Sequence, residues 1–112
     1  ISGDGTQRRN FLYVEDLARA HSMVLGDNAV NQTFNLEGGR RISIAEVAET
    51  ICELMDNGVM TEYVPGRRWE DTLTGVSIVK AREELGWEPR IALEEGLRRT
   101  IEWYRSGLRS KP

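Results

Sequence analysis

Apolar positions along this chain follow two rhythms, one of three and four residues and one of two. Leu17, Ala20, His21 and Val24 fall at helical spacing and predict a helix from about Glu15 to Leu25. Glu15 and Asp16 would lie in its first turn, where the helix dipole favours acids, and Gly26-Asp27-Asn28 would end it. A stronger stripe, Ile44, Val47, Ala48, Ile51, Leu54 and Met55, predicts a second helix. Ser43 with Glu46 three residues on reads as its capping box, and Asn57-Gly58 as its stop. Ser77 is expected to cap a short helix, Ile78 to Leu85, closed by Gly86 in the left-handed conformation. After an extended connector biased by Pro89, a last helix is predicted from about Leu93 to Arg105. Its inner face would carry Leu97, Ile101 and Tyr104, and Gly107 would stop it.

The two-residue rhythm is confined to short stretches. Phe11 to Val14 and Gln32 to Glu37 read as strands. Thr61 to Pro65 reads as a third, ended or placed at an edge by its proline. Three to four helices with two to three short strands make a small mixed α/β domain of α+β cap type. These strands are too few for a complete sheet of usual size. The 112 residues fit one domain, 1–112, with no repeat or linker.

Composition adds limits. No apolar run approaches the ~20 residues that span a bilayer, and no secretory leader is recognised, so no membrane partner is expected. The single cysteine, Cys52, forms no internal disulfide and reads as a packed thiol. It fits a reducing compartment, and the cytoplasm is the expected location. The net charge of −3 argues against general nucleic-acid binding. Almost all basic residues are arginine, set in pairs: Arg8–Arg9, Arg40–Arg41, Arg67–Arg68 and Arg98–Arg99. Arginine is the better fork for phosphate, although genomic base composition also accounts for most of the pairs.

Catalytic signatures are missing from the sequence. The only histidine, His21, sits in a helical pattern and reads as packed. No His, Cys or carboxylate cluster has metal-ligand spacing. The "GDG" of Gly3–Gly5 does not open a helix as a phosphate loop would. Two places remain. If the strand alternates, Arg8 and Arg9 point to opposite faces, one to solvent and one inward. In "GRRWED", Arg67 and Arg68 precede Asp71, which suits either a surface ion pair or a phosphate donor beside a sugar-hydroxyl acceptor. Among the tryptophans, Trp103 is expected in the core, Trp87 folded back on its helix, and Trp69 in the arginine loop as a candidate contact.

The stretches "GDGTQRRNFLYVEDLARAH", "TFNLEGGRRISIAEVAETI", "VPGRRWED" and "SIVKAREELGWEPRIALEEGLRRTIEWY" cover almost the whole chain. In their order and spacing they resemble the C-terminal part of the NAD-dependent epimerase/dehydratase family, extended short-chain dehydrogenases acting on nucleotide sugars. UDP-glucose (UDP-galactose) 4-epimerases are the nearest familiar members. The resemblance implies that Arg9, followed by Asn10 and Phe11, grips the substrate diphosphate. It implies that Arg68 is a second diphosphate contact and Asp71 a contact to the ribose. Asn10 and Glu70 depart from the usual aspartate and glycine, and Asn35 reads as structural because its turn glycine is displaced beyond Glu37.

The family's glycine-rich NAD turn and Tyr-x-x-x-Lys pair are missing here. Tyr13, Tyr63 and Tyr104 are followed four residues later by Leu17, Arg67 and Leu108. The expectation is therefore a C-terminal lobe without its Rossmann domain, with no catalytic or metal-ligating residue and no cofactor bound by this chain. NAD would belong to the full-length parent. The expected partners are a nucleotide sugar (a UDP-sugar first), the N-terminal Rossmann half, and a second copy through exposed apolar surface. The competing expectation is a stand-alone, non-catalytic binding or interaction module derived from that family.

Overall fold

The computed structural model describes residues 1–67 and 76–109, leaving Arg68 to Gly75 and Ser110 to Pro112 outside. Two strands and three longer helices appear in the order β1 (Arg8–Asn10), α1 (Val14–Met23), β2 (Arg41–Ser43), α2 (Ile44–Met55) and α3 (Leu93–Arg109). A 3-10 turn, Asp27–Ala29, follows α1, and a π-helical turn, Ala81–Leu85, precedes Trp87. This is the small mixed α/β unit that the sequence pattern predicts.

The strands are displaced from their expected places. β1 and β2 pair antiparallel with Arg9 opposite Ile42 and Asn10 opposite Arg41. The strand expected at Phe11–Val14 therefore lies three residues earlier, and Val14 opens α1. Backbone pairing decides this, since Arg8–Asn10 is the stretch that finds a partner. Gln32 to Glu37 keeps its alternation, with Phe34 and Leu36 turned towards the core and Thr33 and Asn35 exposed. It forms no ladder among the described residues. The strand expected at Thr61–Pro65 reduces to one parallel bridge, Val64 to Ser2.

Helix ends follow local chemistry more closely. The Glu46 amide donates to Ser43 Oγ at 3.1 Å, capping α2. The return half of the capping box is absent because the Glu46 carboxylate pairs with Arg40. Asp56, at φ 45°, makes the left-handed stop one residue before Asn57. Ser77 Oγ accepts from the Val79 amide at 3.3 Å, and Gly86, at φ 70°, closes the π turn as expected. Gly107 does not stop α3, which continues to Arg109.

The core joins Ala20, Ile78, Ala81, Leu85 and Trp87, with Leu12, Met23, Phe34 and Leu36 packed around them. Trp87 is fully buried and its indole N–H donates to the Asp16 backbone carbonyl at 2.9 Å. The Asp16 carboxylate, also buried, accepts the amides of Arg90 (3.0 Å) and Ile91 (2.9 Å) on Oδ2 and the Arg19 guanidinium (3.0 Å) on Oδ1. These bonds fix the first turn of α1 to the connector ahead of α3. Arg19 also lies over the Trp87 ring, 5.9 Å from its centroid, and donates to the Glu88 carbonyl. A Cβ on Gly38 would stand 1.6 Å from the Phe11 carbonyl oxygen, so only glycine lets these segments meet.

Three expected packing positions are corrected. His21 is exposed, its Nδ1 2.9 Å from the Leu17 carbonyl. Trp103 is 68% exposed and Tyr104 61%. Their rings stand edge to face against each other, 5.0 Å between centroids, and the described residues leave most of both side chains exposed.

Burial raises the Asp16 pKa, but the amides of Ile91 and Arg90 and the Arg19 guanidinium outweigh it and hold it below the usual 3.8. A group depressed in the folded state stabilises it above the unfolded pKa and loses that contribution as pH falls through the folded value. Asp16→Ala would leave two amide donors unsatisfied at ~1–3 kcal/mol each. A loss of about 3 kcal/mol at pH 7 is expected in urea unfolding, and the difference from the parent chain should shrink below pH 4. An equal difference at pH 7 and pH 2 would contradict this role.

Candidate functional site

β1 carries the two arginines at the head of the strongest motif. Alternation along the strand exposes Arg8 and half-buries Arg9. Arg8 Nη1 donates to the Arg41 carbonyl at 3.2 Å, and Arg9 Nη1 to the Arg8 carbonyl at 3.2 Å. Neither pairs with a carboxylate among the described residues. Five other arginines are compensated, Arg19 by Asp16, Arg40 by Glu46, Arg82 by Glu88, Arg98 by Glu95 and Glu102, and Arg99 by Glu15 and Glu95. Arg9 thus keeps most of its guanidinium donors for an acceptor from outside.

The turn before β1 is held by hydrogen bonds and close packing. The Asp4 carboxylate accepts the Thr6 amide (3.0 Å) and hydroxyl (2.6 Å). Gly5 packs on Ala45, where a Cβ would meet the Ala45 Cβ at 3.0 Å. Residues 1–3 run beside Val64: the Gly3 amide donates to the Val64 carbonyl at 2.9 Å, and the Val64 amide to the Ile1 carbonyl at 2.8 Å. These contacts bring the chain just ahead of Arg67 to the segment leading into β1. Arg67 is exposed. Arg68, Trp69 and Asp71 lie outside the described residues, so of the three expected binding residues only Arg9 has a described environment.

A further cleft, not foreseen in the sequence, lies elsewhere. A space of about 560 Å³ opens between Leu12–Glu15 and the Arg99–Tyr104 side of α3. A smaller hollow of about 120 Å³, lined by Phe11, Leu12, Tyr13, Leu93, Gly96 and Leu97, adjoins it. Gly96 lets α3 approach closely, because a Cβ there would lie 3.1 Å from the Tyr13 ring. Arg99 bridges the cleft's rim, donating to Glu15 (2.9 Å) and Glu95 (2.8 Å), with Tyr13 5.8 Å away under its guanidinium. The available signal was Gly96 inside a strongly amphipathic helix.

Among the described residues, no group of three or more His, Cys, Asp or Glu side chains could hold a metal ion. No helix of the described residues is long and apolar enough to cross a membrane. Cys52 is half-buried on α2.

Comparison with known proteins places this geometry among sugar-nucleotide enzymes. Residues 1–100 match the GDP-mannose 4,6 dehydratase family. The dTDP-glucose 4,6-dehydratase of Neisseria gonorrhoeae is 35% identical over 116 aligned residues, which cover 93% of this chain and 34% of that protein. The UDP-glucuronate 4-epimerase of Thermodesulfobacterium geofontis is 37% identical, covering 96% and 33%. The UDP-glucose 4-epimerase of Thermotoga maritima, solved with UDP-glucose, superposes with a TM-score of 0.87 at 34% identity, covering 96% of this chain and 35% of that one. The dTDP-glucose 4,6-dehydratase of Bacillus anthracis, solved with NAD, gives 0.83 at 30% identity, covering 98% and 35%. The chain therefore spans about a third of the length of the curated relatives it matches, and these relatives include both dehydratases and epimerases.

The rim of the cleft carries a pH dependence. Hydrogen bonds from Arg98 and Arg99 pull the Glu95 pKa down from 4.5 to about 2. Its contribution is complete above about pH 4.5 and is lost as pH falls towards 2. Glu95→Gln should therefore lower the melting temperature at pH 7 slightly, as exposed pairs allow, and leave it unchanged at pH 2. A deficit at pH 2 as large as at pH 7 would count against the network.

Proposed function

Because this chain belongs to the NAD-dependent epimerase/dehydratase family, we propose that it acts as that family's C-terminal substrate-binding part, a single unit over residues 1–112. It holds the diphosphate of a nucleotide sugar, a UDP-sugar first, for chemistry performed by residues outside it. Arg9 takes one side of the diphosphate. Arg68 is the second grip and Asp71 accepts from the ribose, both assigned by the family motif. The observation that carries this reading is Arg9, a partly buried residue on β1 whose guanidinium no carboxylate compensates among the described residues. Arg8, exposed on the opposite face, is surface charge.

This function is catalysis by positioning. Holding the sugar at a fixed place converts an encounter into an effectively unimolecular step. NAD, present in the solved B. anthracis relative, would supply the hydride chemistry, and this chain itself binds no cofactor. Whether the sugar is epimerised or dehydrated is decided by groups outside these residues, and the comparisons include both outcomes.

Two guanidinium contacts at ~1.5–3 kcal/mol each about match the ~4 kcal/mol of a millimolar complex, before association costs. UDP-glucose added to this chain should therefore bind with a millimolar or weaker dissociation constant, shifting the Arg9 amide resonance. Arg9→Ala should abolish the shift. A micromolar constant, or binding indifferent to Arg9→Ala, would refute the assignment. In a full-length family enzyme bearing these residues, Arg9→Ala and Arg68→Ala should raise the KM for nucleotide sugar far more than that for NAD.

A further inference from the structure

Among the asparagines of this chain, Asn10, Asn28, Asn31 and Asn35 precede Phe11, Ala29, Gln32 and Leu36, whereas Asn57 precedes Gly58. Asp56, Asn57 and Gly58 are all exposed at the turn that ends α2. The Asn57 side chain folds forward along its own backbone, its Oδ1 accepting the Val59 amide at 3.2 Å. That bond spans Gly58, so it keeps Cγ on the side of the Gly58 nitrogen and draws electron density from the Cγ carbonyl. The Gly58 amide donates no hydrogen bond among the described residues. Gly58 stands at φ 75°, and a Cβ built on it would meet nothing within 4 Å. Electrophile and nucleophile thus share one open turn, with room to close a ring.

The Asp4-Gly5 pair shows the protected counterpart. Asp4 makes the same forward turn, accepting the Thr6 amide and hydroxyl. Those bonds, the hydroxyl first, hold its carboxyl below the usual 3.8, and a carboxylate is a poor electrophile. Gly5 is also buried, packed against Ala45.

We propose that Asn57-Gly58 is a site of spontaneous covalent modification, deamidation through a succinimide. The Gly58 nitrogen gives its proton to solvent and attacks Asn57 Cγ. The N–Cγ bond forms, the Cγ–Nδ2 bond breaks, and the side-chain nitrogen leaves as ammonia. Water then opens the ring. Cleavage of the nitrogen's bond to Cγ leaves an ordinary aspartate, and cleavage of its bond to the main-chain carbonyl carbon leaves isoaspartate. Water is the only co-reactant. The product adds a carboxylate beside Asp56 at the C-terminal end of α2, where the helix dipole already disfavours negative charge, and the isoaspartate form lengthens the backbone there. This inference is independent of the diphosphate assignment.

The test is ageing of the chain in mildly alkaline buffer at physiological temperature, folded and in urea, followed by trypsin. Cleavage after Arg41 and Arg67 gives a peptide, Ile42–Arg67, in which Asn57 is the only amide side chain. This peptide should gain the mass of an amide-to-acid exchange before any other asparagine peptide does. It should also accept a methyl group from S-adenosylmethionine in the presence of an isoaspartate methyltransferase. The folded rate should lie within about tenfold of the rate in urea, because the turn is open. Asn57→Ser should hold the peptide's mass constant, and the modified fraction, separated by anion exchange, should melt below the unmodified chain. Folded-state protection greater than about tenfold, a mass gain without isoaspartate, a gain that persists in Asn57→Ser, or an unchanged melting temperature would each overturn the proposal.

Discussion

The Asp16 carboxylate ties together segments far apart in sequence. It accepts two successive amides, Arg90 and Ile91, while the carbonyl of the same residue accepts the Trp87 indole. Arg19, one turn further on, neutralises the carboxylate and covers the Trp87 ring. A buried charge of this kind is tolerated only when its lone pairs are occupied, and here three donors occupy them. The consequence is geometric. The connector is held across α1, α3 starts from a fixed point, and Gly96 brings it against Tyr13. Both the apolar core and the cleft beside α3 depend on this anchor.

A division of labour among the arginines follows from their surroundings. Arg19, Arg82, Arg98 and Arg99, on or beside the helices, are matched with carboxylates and serve the fold, with Arg99 linking α1 to α3 through Glu15 and Glu95. Arg105 donates to the Met55 carbonyl at 3.1 Å and so closes the C-terminal end of α2. Arg9 sits on a strand, half-buried and without such a match among the described residues. In a chain with more acids than bases, an uncompensated guanidinium is a place to look for an external anion.

The uncovered end of α3 shows the same logic in apolar terms. Trp103, Tyr104 and Leu108 carry apolar surface that the described residues leave exposed.

Much of this was legible in the sequence. Helical periodicity, the Ser43 cap, the Gly86 stop and the inward turn of Phe34 and Leu36 are local properties, set by side-chain spacing and backbone sterics within a few residues. The family itself was legible in the order of four motifs. Tertiary structure decided the rest. Strand positions depended on which backbone found a partner, which moved β1 to Arg8–Asn10 and left Gln32–Glu37 extended without a ladder among the described residues. The sequence assigned Asp16 only a place near a helix dipole, because its donors arrive from more than seventy residues away. It placed Trp103 and Tyr104 inside because their spacing is that of a buried face. Periodicity specifies which side of a helix is apolar; only the packed chain specifies how far along that side burial extends.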